Sequence, residues 1–166
     1  MSIFLALPVL GIALMLQTGI FSRINLLSGS ADLVMTILVA WSLQERVKSA
    51  WYWAVVAGGL VGFVSGLPWF ISLAGYLLVT GVCRLMHRRV WQAPLLASFV
   101  AVLIGTFGMH MLTIGYLLFM GGNFQFADAI NSIVLPSTLL NFLLIIPVHY
   151  LIKNLADRVH PSEVIS

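Results

Sequence analysis

Six apolar stretches run along the 166-residue chain, separated by short polar segments. Because a helix rises about 1.5 Å per residue, roughly 18 apolar residues cross a hydrocarbon core about 30 Å thick. Lipid favours helices, since they satisfy their own backbone hydrogen bonds. We therefore predict an all-α integral membrane protein whose 166 residues form a single six-helix domain. The predicted spans are approximately 3–21, 26–43, 51–67, 69–86, 94–120 and 130–154.

Composition supports this assignment. Hydrophobic residues make up 61% of the chain and charged residues only 8%, and the mean hydropathy is +1.07. Such a chain has too little polar surface for a water-soluble domain. The segment 65–69, with Gly66 and Pro68, predicts a tight hairpin between the third and fourth spans.

The eight Lys and Arg residues are distributed unevenly among the links. If the N-terminus is cytoplasmic, Arg23 alone lies outside, and the other basic residues all lie inside. Those residues are Arg46, Lys48, Arg84, Arg88, Arg89, Lys153 and Arg158. The positive-inside rule therefore predicts that both termini are cytoplasmic.

Two spans carry stripes of small residues at a spacing of four. In lipid, helix association depends on close backbone approach, which small residues permit. The third span has Ala54, Gly58, Gly62 and Gly66, and internal packing is the favoured interpretation of this stripe. The fifth has Ala97, Ala101 and Gly105, which are either its internal partner or a docking face for a separate helix.

Asp32 is the single acid predicted to lie within a span. An ionised carboxylate in lipid costs at least a few kcal/mol, so Asp32 should be protonated, paired or exposed to water. One interpretation is a polar site that faces the outer leaflet or a pocket. The other is that Ser28, Gly29, Ser30 and Asp32 cap a helix that starts later than residue 26.

Other polar residues inside the spans are His110, Ser137, Asn141 and, near the inner end of span six, His149. None of them has a partner at metal-ligand spacing, so interhelical hydrogen bonding is the favoured interpretation over metal or proton chemistry.

Pro136 and Pro147 fall within the sixth span. Each proline frees a carbonyl one turn earlier, for which neighbouring hydroxyls are candidate partners. We favour two kinks over a hinge. The chain has no nucleophile elbow, phosphate-binding loop or paired acids, so we expect neither an enzyme nor a cofactor, and no nucleic-acid partner.

Residues 135–150 carry Leu-Pro-Ser, Leu-Asn and Pro-Val in succession, and this segment resembles the last helix of the bacterial rod shape-determining MreD family. The length, the six spans, the Asp32 segment, and residues 59–66 followed by Pro68 extend the resemblance over nearly the whole chain. The family often has an acidic residue at the position of Gly62, and this chain does not.

The resemblance implies a non-catalytic subunit of the cell-wall elongation complex in the bacterial cytoplasmic membrane. It implies binding to MreC and, directly or through MreC, to RodA and its class B penicillin-binding protein; a homo-oligomer is also compatible. It further implies a fold similar to the substrate-binding S subunits of energy-coupling-factor transporters. A vitamin-binding S subunit is the alternative function, although Ala6 and Ala13 do not form the Ala-x-x-x-Ala motif of that family's first helix.

Overall fold

The computed structural model describes residues 2–20, 23, 27–44, 47–86, 93–122 and 125–159, and these residues are mostly helical with no strand among them. The helices are α1 (Ser2–Gly19), α2 (Leu33–Ser42), α3 (Ala50–Val64), α4 (Trp69–Met86), α5 (Pro94–Phe119), α6 (Phe126–Ala129) and α7 (Leu135–Val159). A π-helical turn, Ile130–Val134, joins α6 to α7 without a break. The prediction of an all-helical chain is confirmed.

Three of these helical segments are long and apolar enough to cross a membrane: α4, α5 and the continuous segment Phe126–Val159. The apolar helices α1, α2 and α3 are shorter. The protein is therefore a helical bundle compatible with a membrane.

The largest difference from the predicted spans concerns the second one. We predicted a helix from about residue 26, but α2 begins at Leu33 and has only ten residues. Hydropathy did not reveal this late start, because Leu27 and Ala31 are apolar although residues 27–32 are not helical. The third helix ends three residues early, at Val64, because Ser65 is extended. The fourth span agrees with α4 at both ends.

Helix α2 lies at the centre of the bundle. All ten of its residues are buried, and it contacts α1, α3, α4, α5 and α7. Around it, neighbouring helices pack in the order α1, α3, α4, α5, α7. Among the described residues no contact of similar extent joins α7 back to α1, so the ring around α2 is open between these two helices.

The small-residue stripe of α3 packs on α4. A Cβ atom at Gly58 would lie 2.6 Å from the Cα of Leu73, and one at Gly62 would lie 2.9 Å from the Cα of Trp69. The two backbones therefore meet without intervening side chains. Gly66 does not continue this stripe: it follows the end of α3, is exposed, and has nothing within 4 Å of its Cβ position.

The stripe of α5 also lies inside the bundle. Ala97 and Ala101 are buried, and a Cβ atom at Gly105 would lie 3.1 Å from Val79 of α4 and 3.4 Å from Met35 of α2. The two stripes therefore do not face each other, contrary to one of our expectations. The other expectation, a docking face for a separate helix, does not fit residues that the chain itself buries.

Among the basic residues of the links, Arg46, Arg88 and Arg89 lie outside the described residues. Arg84 is half-buried near the end of α4, and its guanidinium donates a hydrogen bond to the carbonyl of Val47.

Candidate functional site

Residues 28–32, the segment before α2, run along the start of α7 at van der Waals distance. Gly29 is buried there, and a Cβ atom on it would lie 2.6 Å from the backbone nitrogen of Ser137 and 2.7 Å from the Cβ of Pro136. Real Cβ atoms essentially never approach other atoms so closely, so glycine is required by space rather than by dihedral angle. Gly29 thus lets the non-helical residues 28–32 lie against α7.

Alternate amides of this segment donate hydrogen bonds to α7 and the turn before it. The amide of Ser28 donates to the carbonyl of Ser132 (3.0 Å), that of Ser30 to Ser137 Oγ (3.1 Å) and that of Asp32 to Asn141 Oδ1 (2.7 Å). Unpaired amides in hydrocarbon are costly, and non-helical backbone is tolerated at membrane depth only where the protein satisfies it. The Ser132 carbonyl and the side chains of Ser137 and Asn141 satisfy three amides of this segment.

The Ser132 carbonyl is available because of Pro136, four residues later, which has no N–H to donate. At the same point, the π-helical turn closes with the amide of Leu135 donating to the carbonyl of Ile130. We expected neighbouring hydroxyls to satisfy the carbonyl that Pro136 frees, but the amide of Ser28 does so. Pro147, by contrast, lies within a continuous α7.

Asp32 is the N-cap of α2, which confirms the capping interpretation. Its Oδ1 accepts a hydrogen bond from the amide of Met35 (2.9 Å), and the Tyr76 hydroxyl of α4 lies 3.0 Å from Oδ2 and 3.2 Å from Oδ1. Gln17 of α1 accepts from the amide of Val34 at 3.0 Å. The first amides of a helix have no partner within it, and here the side chains of Asp32 and of Gln17 accept from two of them.

Asn141 joins three elements. Its Oδ1 accepts from the Asp32 amide, and its Nδ2 donates to Thr106 Oγ1 of α5 at 3.0 Å. His149 Nδ1 similarly lies 2.9 Å from Ser98 Oγ of α5. The prediction of interhelical hydrogen bonds is confirmed for these two residues. It does not hold for His110 among the described residues, where its Nδ1 pairs with the Thr106 carbonyl of its own helix (2.8 Å).

A cavity of about 470 Å³ adjoins this network between α5 and the α6–α7 turn. Its polar lining residues are Ser28, His110, Thr113, Gln125, Asp128 and Ser132. Its apolar lining residues are Ile114, Leu117, Ala129 and Ile133. Ser28 and Ser132, whose backbones are joined by a hydrogen bond, both line the cavity and so connect it to the network. The described residues contain no group of three or more His, Cys, Asp or Glu that could hold a metal ion.

Several members of the site were missed in the sequence. Gln17 and Thr106 were visible as polar residues in apolar spans, but nothing indicated what they contact. Nothing in the sequence distinguished Tyr76 as a residue of the site, because tyrosine is common in membrane helices. Asp128 was assigned to a loop and becomes part of the site only because the turn at 126–134 lies beside α5.

Comparisons with known proteins add no identification, since no family model, no curated protein and no solved structure matches this chain.

Proposed function

We propose that this protein is a non-catalytic, multi-pass subunit of the cell-wall elongation complex in the bacterial cytoplasmic membrane. In this role it binds MreC and, directly or through MreC, supports RodA and its class B penicillin-binding protein. One observation carries the proposal. The MreD resemblance includes the Asp32 segment and the Leu-Pro-Ser and Leu-Asn motifs of the last helix. These two parts contact each other directly although 109 residues separate Asp32 from Asn141. Motifs that meet in space support a shared fold more strongly than scattered matches do.

The proposed topology has six crossings with both termini cytoplasmic. Helix α2 rises only about 15 Å over ten residues, and five non-helical residues before it add at most about 17 Å. Together they match a hydrocarbon core about 30 Å thick. The second crossing is then half helix and half non-helical backbone, and α7 and the turn before it accept hydrogen bonds from three amides of the non-helical half.

We place the membrane helix of MreC at the opening between α1 and α7. The ring of helices around α2 is continuous elsewhere, and the small-residue stripes that would otherwise suit a partner are occupied internally. A single helix added at this opening would contact α1 and α7 together and complete the ring.

Site-specific cross-linking in cells tests this placement. Cys83 is the single cysteine of the chain, so Cys83→Ala gives a cysteine-free background. Single cysteines replace Ile12 of α1 and Leu143 of α7, which are 59% and 70% exposed, and the control replaces Leu78 of α4, which is 40% exposed. All three positions lie near the middle of their helices. We expect cross-links to MreC from Ile12 or Leu143 and none from Leu78.

The experiment also distinguishes a wrong docking site from a wrong function. A cross-link from Leu78 alone would move the docking site but keep the function. Absence of MreC and the cell-wall synthases from affinity purifications in mild detergent would reject the function itself.

A second candidate function, the substrate-binding S subunit of an energy-coupling-factor transporter, is favoured by the cavity of about 470 Å³, because this volume is typical of small-molecule sites. Native mass spectrometry of the purified protein tests it. A stoichiometric vitamin, or ATPase subunits in the same purification, would replace the elongation-complex proposal.

A further inference from the structure

Several of the groups that line the cavity beside the polar network accept hydrogen bonds. The carbonyl of Thr106 can only accept, so His110 Nδ1 must carry the proton in the bond between them. The neutral ring then has an unprotonated Nε2, which is an acceptor. Thr113 Oγ1 donates its proton to the Met109 carbonyl at 3.0 Å, so its lone pairs also remain as acceptors.

The charged groups at the cavity also favour a cationic ligand over an anion. Asp128 contributes an exposed carboxyl group, and no Lys or Arg occurs among the described lining residues. A bound anion would meet the Asp128 carboxylate with no Lys or Arg among the described lining residues to compensate it.

The remaining wall is hydrocarbon, contributed by Ile114 and Leu117 of α5 and by Ile133 of the π-helical turn. A ligand that fits this cavity therefore combines a cationic hydrogen-bond donor with an apolar body. We propose that the cavity binds the primary ammonium group of an amphiphile. The Asp128 carboxylate pairs with the charge, and His110 Nε2 and Thr113 Oγ1 accept from the N–H groups.

Two sources supply this chemistry: the headgroup of an aminophospholipid such as phosphatidylethanolamine, and a small apolar amine. The quaternary ammonium of phosphatidylcholine has no N–H to donate, so it is the matched ligand control. The proposal concerns a small ligand and goes beyond the assembly role, because it requires neither MreC nor a synthase.

The test uses the full-length protein purified in a lipid-free detergent, with binding measured by native mass spectrometry. The lipid arm compares phosphatidylethanolamine with phosphatidylcholine of the same acyl chains, and the amine arm compares decylamine with decanol. We expect the ammonium compound to bind preferentially in at least one arm, and that arm identifies the source. Because Asp128 is exposed, solvent screens its ion pair, so Asp128→Asn should weaken that binding by about two- to fivefold.

Asp157→Asn is the protein control, since Asp157 is also exposed and lies near the far end of α7 from the cavity. It should leave binding unchanged. Because Asp128 is at the surface, its variant is expected to fold, and a circular dichroism melt verifies this. Equal binding of the ammonium compound and its control in both arms, or an Asp128→Asn variant that binds like the parent, would overturn the proposal. Neither result bears on co-purification with MreC.

Discussion

The two ends of α2 are stabilised in different ways. At its N-terminal end, Asp32 and Asn141 belong to a hydrogen-bonded network that reaches α4, α5 and α7. At its C-terminal end, Trp41 stacks on Trp53 of α3 with ring centroids 4.2 Å apart and planes 20° apart, and both indoles are fully buried. One end relies on directional polar contacts and the other on packing.

The difference follows from the path of the backbone. Before Leu33 the chain is not helical, so its amides need partners from elsewhere in the bundle. After Trp41 the amides of Leu43 and Gln44 still bond to carbonyls one turn earlier, so the backbone needs little from other helices. Polar atoms at this end can even stay unpaired: Trp41 Nε1 and Ser42 Oγ are buried without a partner among the described residues. Substitutions of paired and of unpaired polar groups should therefore differ in sign as well as in size.

The largest effect is expected at Gly29. In Gly29→Ala the new methyl group would meet the Ser137 backbone nitrogen at 2.6 Å, and backbone cannot yield as a flexible side chain can. We expect a loss of about 3 kcal/mol in the free energy of unfolding, measured by SDS titration of the purified protein. The control is Gly59→Ala, a helical position with nothing within 4 Å of its Cβ, which should be neutral or stabilising. Equal stability of the two variants would show that residues 28–32 do not pack closely on α7.

Asn141→Leu should have the next largest effect. The substitution keeps the size of the side chain but leaves the Asp32 amide and the Thr106 hydroxyl without their partner. We expect a loss of about 2 kcal/mol, because a buried unpaired polar group costs its desolvation energy. Asn154→Leu is the matched control, the same change at an exposed position of the same helix. It should leave the unfolding midpoint in SDS unchanged, and a loss as large as that of Asn141→Leu would argue against the network.

The smallest effect gives the sharpest comparison, because one substitution can be made at a paired and at an unpaired buried hydroxyl. Thr106 and Thr80 are each fully buried, but Thr106 Oγ1 accepts from Asn141 whereas Thr80 Oγ1 has no partner among the described residues. Replacing a paired hydroxyl by a methyl group should cost about 1 kcal/mol, and removing an unpaired one should be neutral or stabilising. We expect Thr106→Val to lower the thermal midpoint in detergent and Thr80→Val to leave it unchanged or raise it. The same sign for both variants would contradict the distinction between paired and unpaired polar groups.

Much of the fold could be predicted from apolar runs, because the number of helical segments and the bounds of α4 and α5 depend on local sequence alone. The start of α2 could not be predicted in this way, because Leu27 and Ala31 are apolar although residues 27–32 are not helical. The late start was nevertheless available as an interpretation of Asp32, since the capping preference of aspartate is local chemistry. For His110 the prediction failed for a related reason: the carbonyl of Thr106, one turn earlier in the same helix, was nearer than any partner on another helix.

By itself, the sequence determined that this chain forms apolar helices suited to a membrane, because hydropathy and helix formation depend on composition and near neighbours. It also identified Asp32, Ser137 and Asn141 as candidate polar residues within the predicted spans. Only the tertiary structure decided that these residues meet, that Gly58 and Gly62 face α4, and that Asp128 and His110 share a cavity. The physical reason is that hydrogen bonds and close backbone contacts act over a few ångströms between residues distant in the chain. Which groups come that close is decided by how the helices pack.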